Sequence, residues 1–298
     1  MLTLVAILVD GLVYSSWLFI VAVGLTLIFG VMKILNVAHG SLYAFGAYTA
    51  ATLIGVYFDA GWPPLGSFAL LLVAAVVVGL VLGLVLERGL LRFMYGRDEV
   101  IIVLVTYAVF LILEDVILLV WGTSPYFAFQ PYSLLDNTSI GVLSFANYDL
   151  AMIGFAVVLG AGLWWAIQRT RWGKLLLAVI HDREMAQAMG INVTLVFTIT
   201  FILGAMLGAL GGAVTAPEIS VAPGIGVEVI VVAFAVVVIG GMGSIPGAAI
   251  GALIVGLIRA AAVHLLPQVE LFVIYGVMTL VLAFRPQGLF SRAEARKI

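Results

Sequence analysis

The chain has 298 residues, of which 64% are apolar and only 9% are charged, whereas soluble domains are about 45–50% apolar and about 25% charged. Its 13 basic and 15 acidic side chains cannot cover the surface of a water-facing globule of this length. The composition therefore excludes a soluble protein and predicts lipid as the solvent. The formal net charge of -2 argues against nucleic acid as a partner. The chain contains no cysteine, which excludes thiol chemistry, and its three isolated histidines argue against a metal site such as zinc.

Long apolar runs without strict alternation predict transmembrane helices, because a bilayer core needs about 20 apolar residues per helix. We therefore expect an all-α polytopic membrane protein, a single transmembrane domain over residues 1–298, with about eight or nine spans. The short run 227–239 and the run 247–265, which contains Arg259, form either a broken or re-entrant pair or two full spans. The predicted spans are 12–32, 37–57, 67–87, 100–120, 148–168, 194–216, 227–239, 247–265 and 270–284.

The basic residues predict the orientation, since short cytoplasmic loops carry an excess of Lys and Arg. The connections 58–66, 121–147 and 217–226 contain no Lys or Arg and are predicted to face outward, which puts the N-terminus outside and the C-terminus in the cytoplasm. The first apolar run lacks a basic start and is too long for a cleavable signal peptide, so it is interpreted as a permanent span. The other connections hold 12 of the 13 basic residues: Lys33, Arg88, Arg92, Arg97, Arg169, Arg171, Lys174, Arg183, Arg285, Arg292, Arg296 and Lys297.

The connections between the predicted spans are too short to form a soluble domain. The longest are 121–147 and 169–193, about 25 residues each, and neither could bury a core of its own. Any aqueous chemistry therefore depends on partner proteins.

Polar residues interrupt the apolar sequence 30–48 near a predicted membrane boundary. Such groups are costly in lipid and mark either turns or transport pathways. In one interpretation Asn36 and His39 cap the second helix and hydrogen-bond the local backbone, and in the other they belong to a translocation route or its gate. The candidate residues for the substrate pathway or gate are Asn36, His39, Gly40 and Gly46, with Thr26, Tyr43 and Ser244 as weaker candidates for polar lining.

Glycines are concentrated in the segment 240–256, which contains six of them and Pro246. Glycines at every fourth position let transmembrane helices pack closely, and this explains the repeats. The cluster 240–247 predicts an interrupted helix, and interrupted segments in the two halves of a transporter point to the central site. The repeats are Gly243, Gly247 and Gly251, and Gly204, Gly208 and Gly212.

The charged residues inside predicted spans include Glu114, Asp115 and Arg259. Glu114 and Asp115 project about 100° apart on a helix and cannot face one neighbour in the same way. Either they serve a proton relay or one of them makes a structural hydrogen bond. Arg259 is expected to pair with Glu270 or Glu228.

The segment from Asp182 to Met189 is amphipathic and lies within the predicted cytoplasmic loop 169–193. Met185, Ala188 and Met189 share one helical face, and Gly190 is typical of a helix C-terminus. The pattern predicts a short helix on the membrane surface. Its apolar face either docks into a groove of another protein or rests on lipid.

This loop resembles the coupling segment of ABC importer permeases, a Glu-Ala-Ala-type helix followed by glycine that docks into the ATPase. More specifically, the chain resembles the LivH-type permeases of branched-chain amino-acid ABC transporters, from about residue 12 to about residue 290. The motifs are Glu184-Met185-Ala186 with Gly190-Ile191-Asn192, Asn36-Val37-Ala38-His39-Gly40 with Gly46-Ala47-Tyr48, Gly240-Gly241-Met242-Gly243-Ser244-Ile245-Pro246-Gly247, and Arg285-Pro286-Gln287-Gly288-Leu289.

The resemblance implies a permease subunit in a bacterial inner membrane. Its implied partners are a second, homologous permease in a heterodimer, two cytoplasmic ATPases and a periplasmic binding protein. The chain has no Gly-x-x-x-x-Gly-Lys-Ser/Thr phosphate loop, so it is not expected to be an enzyme or to hold a cofactor, and ATP is used by the partners. The residues expected to couple to the ATPase are Arg183, Glu184, Ala186 and Gly190.

The substrate expected from this resemblance is a branched-chain or related amino acid delivered by the binding protein. Relatives of the same family that carry urea, short amides or aromatic acids are an alternative, because no motif here selects among these solutes. An ion-coupled secondary carrier that uses Glu114 and Asp115, or a passive channel for a small polar solute, are alternatives of other classes.

Overall fold

A computed structural model of the chain describes residues 2–140, 143–285 and 288–290. Within them, seven helices are long and apolar enough to cross a membrane, and two shorter apolar helices, α11 and α13, accompany them. The helices are α1 (Leu2–Met32), α2 (His39–Asp59), α3 (Ser67–Leu86), α4 (Arg92–Met94), α5 (Glu99–Trp121), α6 (Gln130–Ser133), α7 (Asn147–Arg169), α8 (Arg171–His181), α9 (Arg183–Ala188), α10 (Val193–Thr215), α11 (Ile225–Gly240), α12 (Ile245–Leu265) and α13 (Glu270–Phe284).

Each predicted span coincides with one helix, which confirms the all-α membrane fold. Helix α1 begins at Leu2, ten residues before the predicted start at position 12, because residues 2–11 continue the same apolar run. A short π-helical turn, Glu87–Leu91, extends α3. Two 3-10 turns, Pro64–Gly66 and Pro267–Val269, precede α3 and α13.

Helix α10 lies at the centre of the bundle and packs against α1, α2 and α3. The predicted glycine repeat on α10 makes these contacts: Gly204 lies against Gly24 and Ile28 of α1, and Gly208 lies against His39. A side chain at Gly212 would meet the backbone of Tyr43 in α2. The repeat therefore serves close helix packing.

Helices α11 and α12 form an antiparallel hairpin joined by the break Gly241–Ser244. Gly240 contacts Gly247, and Gly251 contacts the carbonyl of Val236. Gly241 (φ 104°) and Gly243 (φ 83°) adopt backbone conformations that other residues rarely take. The predicted interruption is thus a turn between two packed helices, and α12 also packs along α1.

The two ends of the bundle differ. At one end, strands β1 (Asn137–Ile140) and β2 (Leu143–Ala146) pair antiparallel, and this end is called the hairpin end after the β-hairpin that they form. Tyr126 also bridges there to Val221 in the α10–α11 connection. The other end, called the α9 end, carries α8, α9 and the α11–α12 turn. Arg259 lies towards the hairpin end, whereas the basic residues Lys33, Arg88, Arg92, Arg97, Arg169, Arg171, Lys174, Arg183 and Arg285 lie at the α9 end, and Arg292, Arg296 and Lys297 lie outside the described residues.

Candidate translocation pathway

The chain unwinds between α1 and α2 and turns back into the bundle. Lys33 takes a left-handed conformation (φ 57°) directly after α1. Six residues later, His39 Nε2 lies 3.1 Å from the carbonyl oxygen of Val21. Val21 precedes Met32, the last residue of α1, by eleven residues, or about 16 Å at 1.5 Å per residue. Helix α2 therefore begins well inside the bundle, and the non-helical segment 33–38 is called the re-entrant segment.

Thr106 of α5 satisfies backbone groups of the re-entrant segment. Its hydroxyl accepts a hydrogen bond from Val37 N at 3.3 Å and lies within hydrogen-bond distance of Leu35 O (3.4 Å) and Val103 O (3.0 Å) as a donor. Non-helical backbone at membrane depth persists only where protein or trapped water satisfies it. Sequence reasoning missed Thr106, whose signal was a threonine hydroxyl, next to Tyr107, in a mainly apolar span.

The interpretation of Asn36 and His39 as caps of α2 is wrong. The residue before α2 is Ala38, and no side chain caps that helix. His39 instead donates a hydrogen bond from Nε2 to the carbonyl oxygen of Val21 in α1, because a carbonyl oxygen can only accept. Asn36 is 1% exposed and His39 is 0% exposed, and Asn36 Nδ2 and His39 Nδ1 have no hydrogen-bond partner among the described residues.

Gly40 and Gly46 let α2 approach its neighbours. A Cβ at Gly40 would lie 2.4 Å from the carbonyl oxygen of Gly226 in α11. A Cβ at Gly46 would lie 2.1 Å from the carbonyl oxygen of Ala209 in α10. Both positions sit at tight helix crossings beside the start of α2.

A cleft of about 880 Å³ opens at the hairpin end between α1, α11, α12 and α13. At its base, Tyr43 and Thr215 share a hydrogen bond of 2.8 Å, and the Tyr43 ring lies 6.2 Å from that of Trp17. Arg259 forms an ion pair with Glu270 and lies over the Tyr14 ring, which resolves the predicted choice in favour of Glu270. The cleft is also lined by Asp10, Asp149, Glu218 and Glu228.

Glu218 lies in the connection after α10, and its side chain lines this cleft. The surrounding protein displaces water from the carboxylate, and the negative charge of Asp149 adds to this effect. Together they raise the pKa of Glu218 to about 7.

A second cleft of about 520 Å³ opens at the α9 end. Lys33, Thr26 and Ser244 line it. Ser244 Oγ accepts a hydrogen bond from Gly247 N at 3.1 Å and so caps α12. Thr26 is 1% exposed, and its hydroxyl has no partner among the described residues.

The two clefts share no lining residue within the described part of the chain. Residues 18–25 of α1, all buried, lie between the part of α1 that lines the first cleft and the part that lines the second. His39 packs against this stretch at Val21 and Gly24, and against Gly208 of α10. The middle of the bundle, called the closed layer, therefore separates the clefts at the depth where α2 begins.

The carboxyl groups of the fourth predicted span face different ways, as the helical spacing requires. Glu114 is half-buried and points towards Gly226 at the start of α11, whereas Asp115 is exposed. This arrangement does not form a carboxylate pair. Within residues 2–140, 143–285 and 288–290, no three His, Asp or Glu side chains converge as metal ligands would.

Helix α9 has the predicted position and end. Asp182 caps it by accepting from Met185 N at 2.9 Å, and Gly190 ends it with φ 82°. Ala186 is 4% exposed and faces the bundle, whereas Met185 and Met189 are 59% and 75% exposed. The apolar ridge therefore points away from the protein.

Two further residues of α9 complete this surface. Glu184 is exposed, and the Arg183 guanidinium lies 5.2 Å from the centre of the Phe197 ring.

Helix α8 was not predicted, although Thr170 caps it and Leu176, Val179 and Ile180 recur at helical spacing. At the C-terminal motif, Leu289 N donates to Ile239 O at 3.0 Å, and Pro286 and Gln287 lie outside the described residues.

Comparison with known proteins matches nearly the whole chain to one family of permeases. A family described as "Branched-chain amino acid transport system / permease component" matches residues 7–282. The chain is 30% identical to the high-affinity branched-chain amino acid transport system permease protein BraD of Pseudomonas aeruginosa, over 98% of this chain and 97% of BraD. It is 27% identical to LivH of Escherichia coli, a permease of the same description, over 97% and 96%. It is also 29% identical to a probable branched-chain amino acid transport permease of Methanocaldococcus jannaschii, over 95% and 91%. No solved structure matches the chain.

Proposed function

The chain belongs to the family of branched-chain amino acid transport permeases, and on that premise we propose that it is the membrane subunit of an ATP-driven importer of leucine, isoleucine or valine. The observation that carries the mechanism is a closed layer between two clefts that open at opposite ends of one bundle. A carrier that alternates in access needs such a barrier in each resting state. The relatives do not favour urea, amides, aromatic acids or ion coupling as alternatives.

The α9 end faces the cytoplasm and the hairpin end faces outward. This orientation follows from the basic residues gathered at the α9 end, since short cytoplasmic loops carry an excess of Lys and Arg. The N-terminus then lies outside and the C-terminus in the cytoplasm of a bacterial inner membrane. A periplasmic binding protein delivers substrate to the hairpin-end cleft, and a second, homologous permease completes a heterodimer.

Two cytoplasmic ATPases supply the energy, one of them through α9. The exposed Met185 and Met189 side chains offer an apolar ridge that fits a groove on a partner better than it fits water. Gly190 sets the end of α9, and Ala186 and Arg183 hold α9 against the bundle. Glu184 lies on the exposed side, where it contacts the ATPase.

Substrate passes the closed layer when the re-entrant segment moves relative to α1 and α10. Asn36 and His39 lie in this layer with polar atoms that have no partner among the described residues, and Gly40 and Gly46 let α2 lie directly against α11 and α10. Tyr43 lines the outward cleft, and Thr26 and Ser244 line the inward one. A conformational change requires differential contacts in the two states, and the partner ATPases provide them at α9.

The test is uptake of labelled leucine by vesicles that contain this chain with its cognate permease, ATPases and binding protein. We expect uptake that requires ATP and the binding protein and is competed by isoleucine and valine but not by urea. Glu184→Ala and Gly190→Ala should lower uptake per ATP hydrolysed while the complex still assembles. ATP-independent uptake driven by a proton gradient, or unchanged uptake in both variants, would overturn the proposal.

A further inference from the structure

A chain of four side chains leads from α9 to the end of α3. Arg183 of α9 lies over the ring of Phe197, in the first turn or two of α10, at 5.2 Å. The Phe197 ring meets the ring of Tyr95 edge to face, with centroids 5.1 Å apart and an interplanar angle of 81°. Tyr95 then donates its hydroxyl proton to Glu87 Oε1 at 2.7 Å. These four side chains are called the relay.

The last member, Glu87, opens the π-helical turn of α3. Its side chain is 0% exposed, and Oε2 has no partner among the described residues. Burial of a carboxyl group costs free energy unless it is hydrogen-bonded, and here Tyr95 supplies the one bond. π-helical turns are rare and occur frequently at functional sites. Packing alone would be served better by an apolar residue at this position.

Tyr95 remains a hydrogen-bond donor at physiological pH. Burial and the hydrogen bond to Glu87 raise the pKa of the Tyr95 phenol above its usual range, while the positive charges of Arg183 and Arg92 lower it by less. The Tyr95 hydroxyl therefore keeps the proton that it donates to Glu87.

The relay connects α9 to α3, and α3 and α10 are packed against each other. Helix α3 packs along α10 through Gly79 against Met206 and Gly83 against Ile202. Helix α10 starts a few residues after α9, where Asn192 caps it. A displacement of α9 thus reaches α10 through the chain itself and reaches α3 through the side chains of the relay.

We propose that Tyr95 and Glu87 are positioning residues that tie the end of α3 to α9, so that α3 and α10 move as one unit when the ATPases close. Without the relay, α9 pulls on α10 alone and the α3–α10 contact absorbs part of the movement. The relay acts through α9 and so depends on the proposed ATPase docking. In this proposal the Tyr95–Glu87 hydrogen bond determines how many substrate molecules are transported per ATP hydrolysed.

The test measures leucine transported per ATP hydrolysed in the complete, reconstituted importer. Tyr95→Phe keeps the ring against Phe197 and removes the hydroxyl, and loss of one hydrogen bond corresponds to about a two- to tenfold fall in this ratio. Tyr57→Phe is the matched control, because its hydroxyl donates to Pro63 O at 3.0 Å at the opposite end of the bundle. We expect that control to keep the wild-type ratio.

Glu87 provides the rescue experiment. Glu87→Gln keeps an acceptor oxygen for Tyr95 and should retain the wild-type ratio, whereas Glu87→Leu should lower it as Tyr95→Phe does. Because the chain has no cysteine, spin labels can be placed at Gln187→Cys on α9 and at Gly89→Cys in the π-helical turn that extends α3. The distance between these labels should stay constant when ATP binds to the wild-type complex and change when it binds to the Tyr95→Phe complex.

The outcomes separate this proposal from the proposed function. If the wild-type complex couples ATP to uptake but Tyr95→Phe matches Tyr57→Phe in both the ratio and the label distance, the relay is refuted and the importer stands. Equal loss in Glu87→Gln and Glu87→Leu would also refute it. If the wild-type complex takes up leucine without ATP, the proposed function itself fails.

Discussion

Replacement of Gly46 by alanine tests a close approach between α2 and α10. The added carbon would lie 2.1 Å from Ala209 O and 2.6 Å from Ala209 Cα, whereas ordinary contacts between carbon atoms lie at about 3.5–4.0 Å. The obstructing atoms are backbone, so the two helices must separate by about 1 Å, and overpacking of this kind costs about 1–3 kcal/mol. Alanine regains about 1 kcal/mol of helix propensity. We therefore expect the free energy of unfolding to fall by up to about 2 kcal/mol.

The assay is thermal unfolding of the purified chain in detergent, followed by tryptophan fluorescence. Gly154→Ala on α7 is the matched control, because a Cβ there meets nothing within 4 Å. It should leave stability unchanged or raise it through helix propensity. A Gly46→Ala variant as stable as Gly154→Ala would show that α2 and α10 do not approach as described.

Three further changes test the re-entrant segment, α9 and the hairpin-end cleft. Thr106→Val leaves backbone groups at Leu35 and Val37 without their partner and should lower the free energy of unfolding by about 1–3 kcal/mol in the same thermal assay. The control is Thr279→Val, which removes an exposed hydrogen bond within one helix and should change this free energy little. Gly190→Ala forces a side chain into φ 82° at a cost of about 1–2 kcal/mol. The thermal assay should therefore show a lower melting temperature, while size-exclusion chromatography should show that the complex still assembles. The pKa of Glu218 is raised from its ordinary value of 4.5 to about 7, so the folded chain binds more protons than the unfolded chain between these values and loses stability as pH rises through them. Melting curves from pH 4.5 to pH 8 should show that loss in the wild type and its absence in Glu218→Gln; equal slopes would contradict the assignment.

Hydropathy predicted the helices because lipid removes most alternatives to a continuous apolar run. The glycine cluster 240–247 predicted the α11–α12 break, and Gly241 and Gly243 there adopt conformations that few other residues take. The same reasoning placed α9 and its end at Gly190. These features are local, and a local pattern is sufficient to specify them.

The re-entrant segment could not be predicted, because its partners lie far away in sequence. Thr106 is separated from Val37 by 69 residues, and Val21 from His39 by 18. The polar residues indicated a turn or a transport pathway near position 36. The choice between a helix cap and a gate depended on which helix packs against these side chains. The cap interpretation failed because His39 hydrogen-bonds α1 and no side chain caps α2.

In the closed layer, two polar groups have no partner among the described residues, which implies that this layer is built to open. A buried polar atom without a partner costs about 1–3 kcal/mol, so Asn36 Nδ2 and His39 Nδ1 raise the free energy of the closed state, and water or substrate in an open pathway can recover this cost. Asn36→Leu, similar in volume, should therefore raise the melting temperature and slow leucine uptake. The contrast is Asn147→Leu, which loses a hydrogen bond of 2.8 Å to Leu135 O and should lower the melting temperature. If Asn36→Leu destabilises the chain as Asn147→Leu does, the amide has a partner in the closed state and the inference is wrong.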